Sequence, residues 1–254
     1  MLIAITRAVS RSIIHCELTH LARTPIDVER ARLQHAQYES ALKQLGLAVL
    51  SLPEEPALAD SVFVEDTALV LDECAIITRP GADSRQAETE SIEQVLAPYR
   101  KLLHLEAPAR LDGGDILHVG RNIYVGISSR SDTNAAEQLQ DLLLPYGYRL
   151  HAVRVTGCLH LKSAVTQVKE DTLLINPAWV DKTHFEGVKF IETDASEPYA
   201  ANALLIGVSV VYPTSFPRTQ NRLESAGAHI VNVEADELAK AEGAVTCCSL
   251  IFSV

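Results

Sequence analysis

The chain has 254 residues, 47% of them hydrophobic and only 5% aromatic, so it can build one large core or two small ones, mainly from Leu, Ile, Val and Ala. A formal net charge of −11 repels phosphate backbones and anionic lipid, which argues against nucleic acid and membranes as partners and favours a cationic small molecule. No apolar run approaches the roughly 20 residues of a membrane span, and the N-terminus lacks a signal-peptide cleavage pattern.

Cysteine usage indicates reduced thiols. The count is odd and no spacing repeats, so a disulfide framework is not predicted, and no CxxC pair or His/Cys ladder suggests a structural zinc site. We therefore expect a cytoplasmic protein that holds no metal. The five cysteines are Cys16, Cys74, Cys158, Cys247 and Cys248.

The predicted elements follow one order that recurs along the chain: strand, turn, strand, polar loop, helix, strand. The chain opens with a strand over residues 1–6, a helix over about 27–45 and a strand over 47–53. The first complete unit then has a strand over 62–71, a hairpin partner over 74–78, and an amphipathic helix with apolar side chains at helical spacing between Ile92 and Tyr99.

Three further units and a split one follow. The second unit has a helix through residues 136–143, the third shows only strands, and the fourth has a helix that ends before Gly227. The split unit joins a last strand over 246–254 to the first strand of the chain. The predicted strands of the second, third and fourth units cover residues 115–119, 123–127, 148–155, 161–168, 172–176, 203–208, 209–213 and 229–233.

The residues that open these units are evenly spaced and unusual for strand starts. They are 42 to 48 residues apart, and a repeat of this length indicates a solenoid or a propeller. The split unit favours a closed ring, because pairing of the two terminal strands removes free edges. In a ring the same position of every unit faces one central pocket. We call these five the marker residues: Asp66, Asp112, His160, Asn202 and Cys247.

A thiol and an imidazole among the marker residues indicate nucleophilic catalysis. Such catalysis needs a thiolate, or a thiol with a base beside it, and His160 is the candidate base for Cys247. Strand alternation would turn Cys247 and Cys248 to opposite faces, so that one reaches the pocket and the other packs into its unit. The alternative is that both Cys247 and His160 are buried packing residues, which is what we expect for the other three cysteines.

Acidic residues supply the other half of the predicted site. Asp112 lies in LDGGDIL, where two glycines allow a tight turn, and its carboxylate would either orient His160 or hold a guanidinium; Asp115 is a candidate turn or strand-start residue. This motif is not a phosphate loop. In DSVFVED, Glu65 and Asp66 are adjacent on a predicted strand, so one of them must point inward. Asp60 opens the same motif.

A buried carboxylate pairs best with a cation, and carboxylate–guanidinium pairing is among the strongest such arrangements. Arg85 and Arg130 both follow the second strand of their units. We expect both at the rim of the pocket, where they would clamp a substrate carboxylate; the alternative is an ordinary surface role.

Several motifs together resemble one family. In chain order they are SVFVED, AIITRPGADSR, LDGGD, LHLKS, YAAN and GAVTCCS, and this set is similar to that of the dimethylarginine dimethylaminohydrolases, part of the guanidine-modifying superfamily. The resemblance runs from the first strand to the last residues. It implies an α/β fold: a five-bladed α/β propeller of pseudo-symmetric ββαβ modules, closed by the N- and C-terminal strands, with residues 1–254 as a single catalytic domain.

The resemblance also implies an activity and roles for the site residues. The reaction would convert Nω-methylated arginine to citrulline plus methylamine or dimethylamine through a covalent amidino-thioether, without a cofactor. Cys247 would be the nucleophile, His160 the general acid and base, and Asp112 the supporting carboxylate, where some members have the longer Glu. The implied substrate contacts are Asp60, Glu65 and Asp66 on the guanidinium side, Arg85 and Arg130 at the α-carboxylate, and Leu18 and Ala241 through their backbone at the amino-acid end.

Other functions stay open on the same fold. An arginine deiminase or another guanidino-acid hydrolase would use the same nucleophile and base. A non-catalytic arginine-binding module would keep the pocket without turnover, and a ribosome anti-association factor uses this ring as a binding module without a nucleophile–base pair. The partner in every enzymatic reading is a small guanidino amino acid, and a homodimer stays open.

Overall fold

The protein folds into five separate three-stranded sheets with six α-helices around them. The computed structural model describes all residues from Met1 to Val254. The strands are β1 (Leu2–Arg7), β2 (Ala48–Leu52), β3 (Ala68–Val70), β4 (Ala75–Ile77), β5 (Leu102–His104), β6 (Ile116–Val119), β7 (Asn122–Ile127), β8 (Arg149–Arg154), β9 (Val165–Lys169), β10 (Thr172–Ile175), β11 (Lys189–Glu192), β12 (Leu204–Ile206), β13 (Ser209–Pro213), β14 (His229–Val233) and β15 (Leu250–Ser253). The helices are α1 (Val28–Gln44), α2 (Glu88–Leu96), α3 (Thr133–Leu143), α4 (Leu161–Ala164), α5 (Pro217–Ser225) and α6 (Asp236–Ala239).

Every sheet has the same internal order. Two strands pair antiparallel, and a third strand joins the second of them in parallel, giving β3-β4-β5, β6-β7-β8, β9-β10-β11, β12-β13-β14 and β15-β1-β2. A parallel neighbour needs a crossover, and α1, α2, α3 and α5 supply it in four sheets. The third sheet departs from this pattern, since only a short 3-10 turn lies between β10 and β11.

The pairing of the chain's two ends confirms the predicted split unit. β15 runs antiparallel to β1, with Ile3 opposite Phe252 and Ile5 opposite Leu250. β1 is therefore the central strand of its sheet, flanked by β15 on one side and β2 on the other. No helix of the structure combines the length and the apolar character that crossing a bilayer requires.

Local sequence signals account for the helix boundaries. The side chain of Asp27 accepts from the backbone N–H of Arg30 at 3.1 Å, which caps the first turn of α1. Asp132 caps α3 in the same way, by accepting from Ala135 at 2.8 Å. α1 gives way to Gly46, whose φ of +88° lies in the left-handed region that favours glycine.

Three segments predicted as strand adopt other conformations, two as turns and one as a short helix. Residues 64–67 form a 3-10 turn, because the Thr67 hydroxyl donates to the carbonyl of Val64 and closes it. Residues 161–164 form α4, and residues 246–248 form a turn in which the Cys247 N–H donates to Ala244. The strand-alternation argument for Cys247 and Cys248 is therefore wrong, as neither lies in a strand.

The five marker residues all lie two to five residues before the first strand of a hairpin or of its equivalent. Each lies in the connection that leads into β3, β6, β9, β12 or β15, the edge strand of its sheet. The even spacing is thus correct, but it marks the turn at the end of the edge strand rather than the strand itself. A turn residue is free of the sheet ladder, so its side chain can extend beyond the end of the sheet.

Replacing Ile5 with alanine tests the importance of the central terminal strand. Ile5 is fully buried in β1, packed in a cluster that includes Leu250 and Ile92. Ile5→Ala should lower the free energy of unfolding by about 2–5 kcal/mol, because it leaves a cavity where β1, β15 and α2 meet. Val208→Ala, at an 87% exposed residue, is the matched control and should change stability by less than about 0.5 kcal/mol in urea denaturation. Equal effects of the two substitutions would contradict this account.

Candidate active site

His160 lies between two buried carboxylates. Its Nε2 is 2.9 Å from Oδ2 of Asp112, and its Nδ1 is 3.9 Å from Oδ1 of Asp66. Burial alone would lower the pKa of His160, but the negative charges of Asp66, Asp112 and Asp115 outweigh burial and raise that pKa to about 9. The imidazole is therefore protonated at neutral pH. Gly114 makes room for it, since a Cβ there would lie 2.5 Å from Nδ1.

Asp112 is held in place by the backbone around it. The carboxylate is completely buried, and its Oδ1 accepts from the N–H of Gly81 at 2.7 Å. Its own N–H donates to the Ser131 hydroxyl at 3.1 Å. The short side chain of Asp112 therefore reaches His160, with Oδ2 2.9 Å from Nε2.

Arg85 is buried behind Asp66 and not at a rim. Only 3% of the residue is exposed, and its guanidinium donates to Asp66 Oδ2 at 2.7 Å and to Glu88 Oε2 at 2.8 Å. Burial acts to raise the pKa of Asp66, but His160 and Arg85 outweigh it and lower that pKa to about 2. Burial raises the pKa of Glu88 to about 7. The expected rim position of Arg85 is therefore wrong.

Glu65 ties the turn of the nucleophile candidate to its neighbours. One of its oxygens accepts from Lys162 Nζ at 2.5 Å, the other from the Thr246 hydroxyl at 2.8 Å, and its N–H donates to the carbonyl of Cys247 at 3.1 Å. Asn202 contacts the same turn through two hydrogen bonds. Its Nδ2 donates to the Thr246 hydroxyl at 2.9 Å, and its Oδ1 accepts from the Thr246 N–H at 3.1 Å. Glu65 and Asp66 are both buried, because they lie in a 3-10 turn and do not alternate as strand residues would.

The surroundings of Cys247 favour the protonated thiol over the thiolate. The residue is 7% exposed; burial first, and then the charges of Glu65 and Asp66, raise the pKa of its thiol well above the ordinary range. Cys248 is also buried, with its Sγ 3.5 Å from the carbonyl of Ala244. A cation placed beside Cys247 would oppose both causes of the raised pKa.

Residues 17–21 form a loop that is fastened to the site. We call it the Leu18 loop. The Glu17 N–H donates to Asp60 Oδ2 at 3.0 Å, and the Thr19 hydroxyl accepts from Arg130 Nη2 at 3.2 Å. Burial raises the pKa of Asp60, while the hydrogen bond from the Glu17 N–H acts to lower that pKa. Leu18 itself is half-buried.

Glu242 fixes the far side of the Leu18 loop. Its carboxylate accepts three successive backbone N–H groups, from Thr19 at 2.9 Å, His20 at 2.5 Å and Leu21 at 2.6 Å. Glu242 is also the one non-glycine residue with positive φ, +59°, a conformation that costs energy unless its surroundings hold it. Buried Ala241 precedes it, so the Leu18 loop and Ala241 belong to one hydrogen-bonded assembly.

Arg130 has a guanidinium nitrogen without a partner. The residue is 8% exposed, and its Nη1 is buried with no hydrogen bond, 3.8 Å from Asp112 Oδ2. A buried donor left unpaired costs about 1–3 kcal/mol. Arg130 thus offers a ready donor to an anionic group, from beneath the Leu18 loop and not from an open rim.

Several contributing residues were missed by sequence reasoning. Lys162 and Thr246 lie within two residues of marker residues, so the period itself gave a signal for them. Glu88 and Glu242 had no such signal, because only the packed chain brings them to Arg85 and to the Leu18 loop. Asp66, Asp112 and His160 have ligand atoms within 4.8 Å of one another, the usual spacing of a metal site. Each of these residues already has a partner within the protein, since Asp66 accepts from Arg85, Asp112 accepts from Gly81, and His160 is hydrogen-bonded to Asp112.

Comparison with known proteins places the chain in a family. The profile described as "N,N dimethylarginine dimethylhydrolase, eukaryotic" matches residues 20–186. The N(G),N(G)-dimethylarginine dimethylaminohydrolase of Pseudomonas aeruginosa is 36% identical over 251 residues, covering 98% of each chain. A crystal structure of a cysteine-to-serine mutant of the Pseudomonas aeruginosa enzyme with citrulline has a TM-score of 0.94, at 35% identity and 98% coverage of both chains.

A second solved structure has the same likeness. It is a dimethylarginine dimethylaminohydrolase with a histidine-to-glycine substitution, in an adduct with S-methyl-L-thiocitrulline; its TM-score is 0.94 at 35% identity, covering 99% of this chain and 100% of that one. The fold and these matches define a hydrolase. The chain belongs to the dimethylarginine dimethylaminohydrolase family.

The charge on His160 should make stability pH-dependent. Because the folded state raises the pKa of His160 to about 9, the stabilisation from its bound proton is complete below pH 6.5 and is lost as the pH rises through 9. Between pH 6.5 and 9.5 the wild type should lose up to about 3 kcal/mol more free energy of unfolding than His160→Gln, as measured by urea denaturation. His15→Gln, at an exposed histidine, should keep the wild-type slope. Identical slopes for wild type and His160→Gln would count against a charged His160.

Removal of the Glu242 carboxylate should loosen the Leu18 loop. Glu242→Gln keeps the size of the side chain but removes the negative charge that accepts hydrogen bonds from three N–H groups. Hydrogen bonds to a charged group contribute about 1.5–3 kcal/mol to stability. Backbone amides of residues 19–21 should exchange with deuterium about tenfold faster or more, as read by mass spectrometry of the peptide. Glu137→Gln, at an exposed residue of α3, is the control. Unchanged exchange at residues 19–21 would show that Glu242 does not hold the loop.

Proposed function

We propose that this chain hydrolyses Nω-methylated arginine to citrulline plus methylamine or dimethylamine. Membership of the dimethylarginine dimethylaminohydrolase family supports the reaction, and the Pseudomonas aeruginosa relative has been solved with citrulline. The observation that carries the proposal is the position of His160 between Asp66 and Asp112, with Cys247 at the equivalent place before the edge strand of another sheet. These residues supply a nucleophile, an acid and the carboxylate that orients the acid.

The catalytic roles follow from the charge states. Cys247 attacks the guanidinium carbon, which forms a C–S bond and a tetrahedral centre. His160 donates its proton to the methylated nitrogen, the C–N bond breaks, and the amine leaves. Neutral His160 then takes a proton from water, which attacks the amidino-thioether carbon. The C–S bond breaks, the hydroxyl proton of the tetrahedral adduct passes to the leaving sulfur, and citrulline and the Cys247 thiol are released. Asp112 holds the imidazole throughout.

Substrate binding is proposed to generate the thiolate. The thiol of free Cys247 is protonated because of burial and the nearby Glu65 and Asp66 charges. A planar guanidinium at this point brings a positive charge that favours the thiolate, so the thiol gives its proton to solvent when substrate binds, because His160 is already protonated. The acidic groups thus serve two purposes, since they attract the cation and keep the empty site unreactive.

The proposed substrate contacts have unequal support. Arg130 is best supported as the α-carboxylate ligand, because its Nη1 lacks a partner. All three nitrogens of Arg85 already donate to protein groups, so a substrate carboxylate would have to share or displace one of these bonds. Leu18 and Ala241 are proposed to meet the amino-acid end through their backbone, as the Glu242 assembly brings their segments together.

On the guanidinium side, Asp66 is the best-supported contact, since its Oδ1 is the oxygen that faces His160. The carboxylate of Asp60 is buried and accepts a single hydrogen bond, at Oδ2 from the Leu18 loop, so its Oδ1 is available to a ligand. Both oxygens of Glu65 are bonded to Lys162 and Thr246. Its charge therefore acts on the substrate from within that network.

We propose further that the five sheets form a closed five-bladed α/β propeller in a single domain over residues 1–254, in which four modules are ββαβ and the third has a 3-10 turn in place of the helix. The shared strand order of the sheets supports this, as do contacts of edge strand β9 with β6 and β12, and of β15 with β3. A cytoplasmic location is proposed because all five cysteines are unpaired. A homodimer is the proposed assembly that sedimentation would test.

Substitution of Cys247 tests the mechanism against its alternatives. Cys247→Ser should lower kcat for dimethylarginine by about 10³-fold or more, because a serine hydroxyl is a far weaker nucleophile without a strong base. The adjacent thiol provides the matched control, and Cys248→Ala should stay within about tenfold of wild type. Citrulline and amine release are followed together for dimethylarginine, monomethylarginine and arginine. Full turnover by Cys247→Ser would overturn the mechanism.

The products separate the other functions. Faster release of ammonia from arginine than of amine from methylated arginine would identify an arginine deiminase. Binding of these ligands without turnover by the wild type would identify a non-catalytic module. A haloacetamidine reagent that labels Cys247, with protection by substrate, would confirm that the thiol faces the guanidinium.

A further inference from the structure

Asp115 is a buried carboxylate that the mechanism above does not use. It follows the two glycines of LDGGD and has no exposed surface. Its Oδ2 accepts two hydroxyl groups, from Ser131 at 2.6 Å and Ser128 at 2.7 Å, and its Oδ1 accepts the backbone N–H of Leu161 at 2.8 Å. Both oxygens are therefore bonded.

Each partner of Asp115 is one bond away from a proposed site residue. The Ser131 hydroxyl accepts the backbone N–H of Asp112 at 3.1 Å. The Ser128 hydroxyl accepts the backbone N–H of Arg130 at 3.0 Å. Leu161 directly follows His160 in the chain. Three separate segments therefore meet at one carboxylate.

The direction of these hydrogen bonds requires an acceptor at position 115. A serine hydroxyl has one proton, and each of the two serines gives it to Oδ2, which leaves a lone pair turned toward the Asp112 or the Arg130 N–H. A donor in place of Oδ2 would turn both hydroxyls around. The space is equally specific, because a Cβ on Gly126 would lie 2.5 Å from Oδ1.

We propose that Asp115 is a positioning residue for the hydrolysis, which sets Asp112, Arg130 and His160 relative to one another through Ser131, Ser128 and the Leu161 N–H. It touches no substrate. The inference rests on the function proposed above for those three residues. The serine hydroxyls give two separable arms, one to the carboxylate that orients the acid and one to the arginine that binds the substrate.

Charge supplies a second, independent connection. Asp115 is one of three carboxylates that face His160, with Asp66 and Asp112, and together they raise the pKa of the imidazole. Removal of one negative charge should therefore lower that pKa. Burial raises the pKa of Asp115 itself to about 6, so the group is ionised at the pH where His160 must stay protonated.

Asp115→Asn tests the proposal, since it keeps the shape and one acceptor but places a donor before the serines. We expect kcat to fall about 10- to 100-fold, because displacements of 1 Å at a reacting centre have effects of this size. The alkaline limb of the kcat profile should move to lower pH. Ser131→Ala should lower kcat mainly, and Ser128→Ala should raise KM mainly. Tyr212→Phe removes a buried hydrogen bond to Ala200 elsewhere and is the control for a loss of stability alone.

The outcomes are distinct. If Asp115→Asn lowers the unfolding temperature as Tyr212→Phe does but leaves kcat, KM and the pH limb unchanged, the positioning role is wrong. If Asp115→Asn does not fold, the two serine variants decide, and the same pattern of effects in both of them would also overturn the proposal. If the wild type has no turnover, the proposed function fails, and that result alone does not decide the inference about Asp115.

In that case His160 is titrated by NMR in the wild type and in Asp115→Asn. An equal pKa of His160 in both proteins would reject the proposed role of Asp115.

Discussion

The charged pair of His160 and Asp112 is the interaction on which the rest of the site depends. A charge moved out of water costs far more than any single contact returns, so a buried ion is stable only where opposite charges and hydrogen bonds offset that cost. Here His160 lies between Asp112 and Asp66, and each carboxylate is held in turn by a backbone N–H, from Gly81 and Gly114. Glycine is needed at both positions, because a Cβ would collide with Arg130 at one and with His160 at the other.

This arrangement leaves the site with an excess of acid. The buried carboxyl groups outnumber the cationic groups around them. Burial is the main cause of the raised pKa of Cys247, and the charges of Glu65 and Asp66 raise it further. A guanidinium ligand supplies the missing positive charge, so the same electrostatics that stabilise the protonated resting thiol also select a cationic substrate. The carboxyl groups are Asp60, Glu65, Asp66, Glu88, Asp112 and Asp115, and the cationic groups are Arg85, Arg130, His160 and Lys162.

Sequence alone predicted the repeat and most of the elements, because hydrophobic periodicity and helix caps are local signals. The spacing of the marker residues also survived, since it depends on unit length and not on the conformation of each residue. The conformation around Asp66, His160 and Cys247 was predicted wrongly as strand. In those turns side chain to backbone hydrogen bonds and tertiary partners compete with the sheet ladder, and β-propensity cannot register them. The pairing of Arg85 with Glu88 could not be predicted from the sequence either, because Glu88 contacts Arg85 only once α2 has packed.

Arg85 and Arg130 show that equivalent positions in the sequence do not predict equivalent roles in a site. Both follow the second strand of their units, and in sequence nothing separates them. In the structure Arg85 donates to Asp66 and Glu88 with every nitrogen, whereas Arg130 keeps a buried Nη1 without a partner. A fully paired arginine contributes to stability and orients its carboxylates. A buried arginine with an unpaired donor lowers the stability of the folded protein, and a bound anion that accepts from that donor removes the cost. Ligand affinity is thus to be sought where the folded chain leaves a hydrogen bond unmade, and in this site Arg130 is that residue.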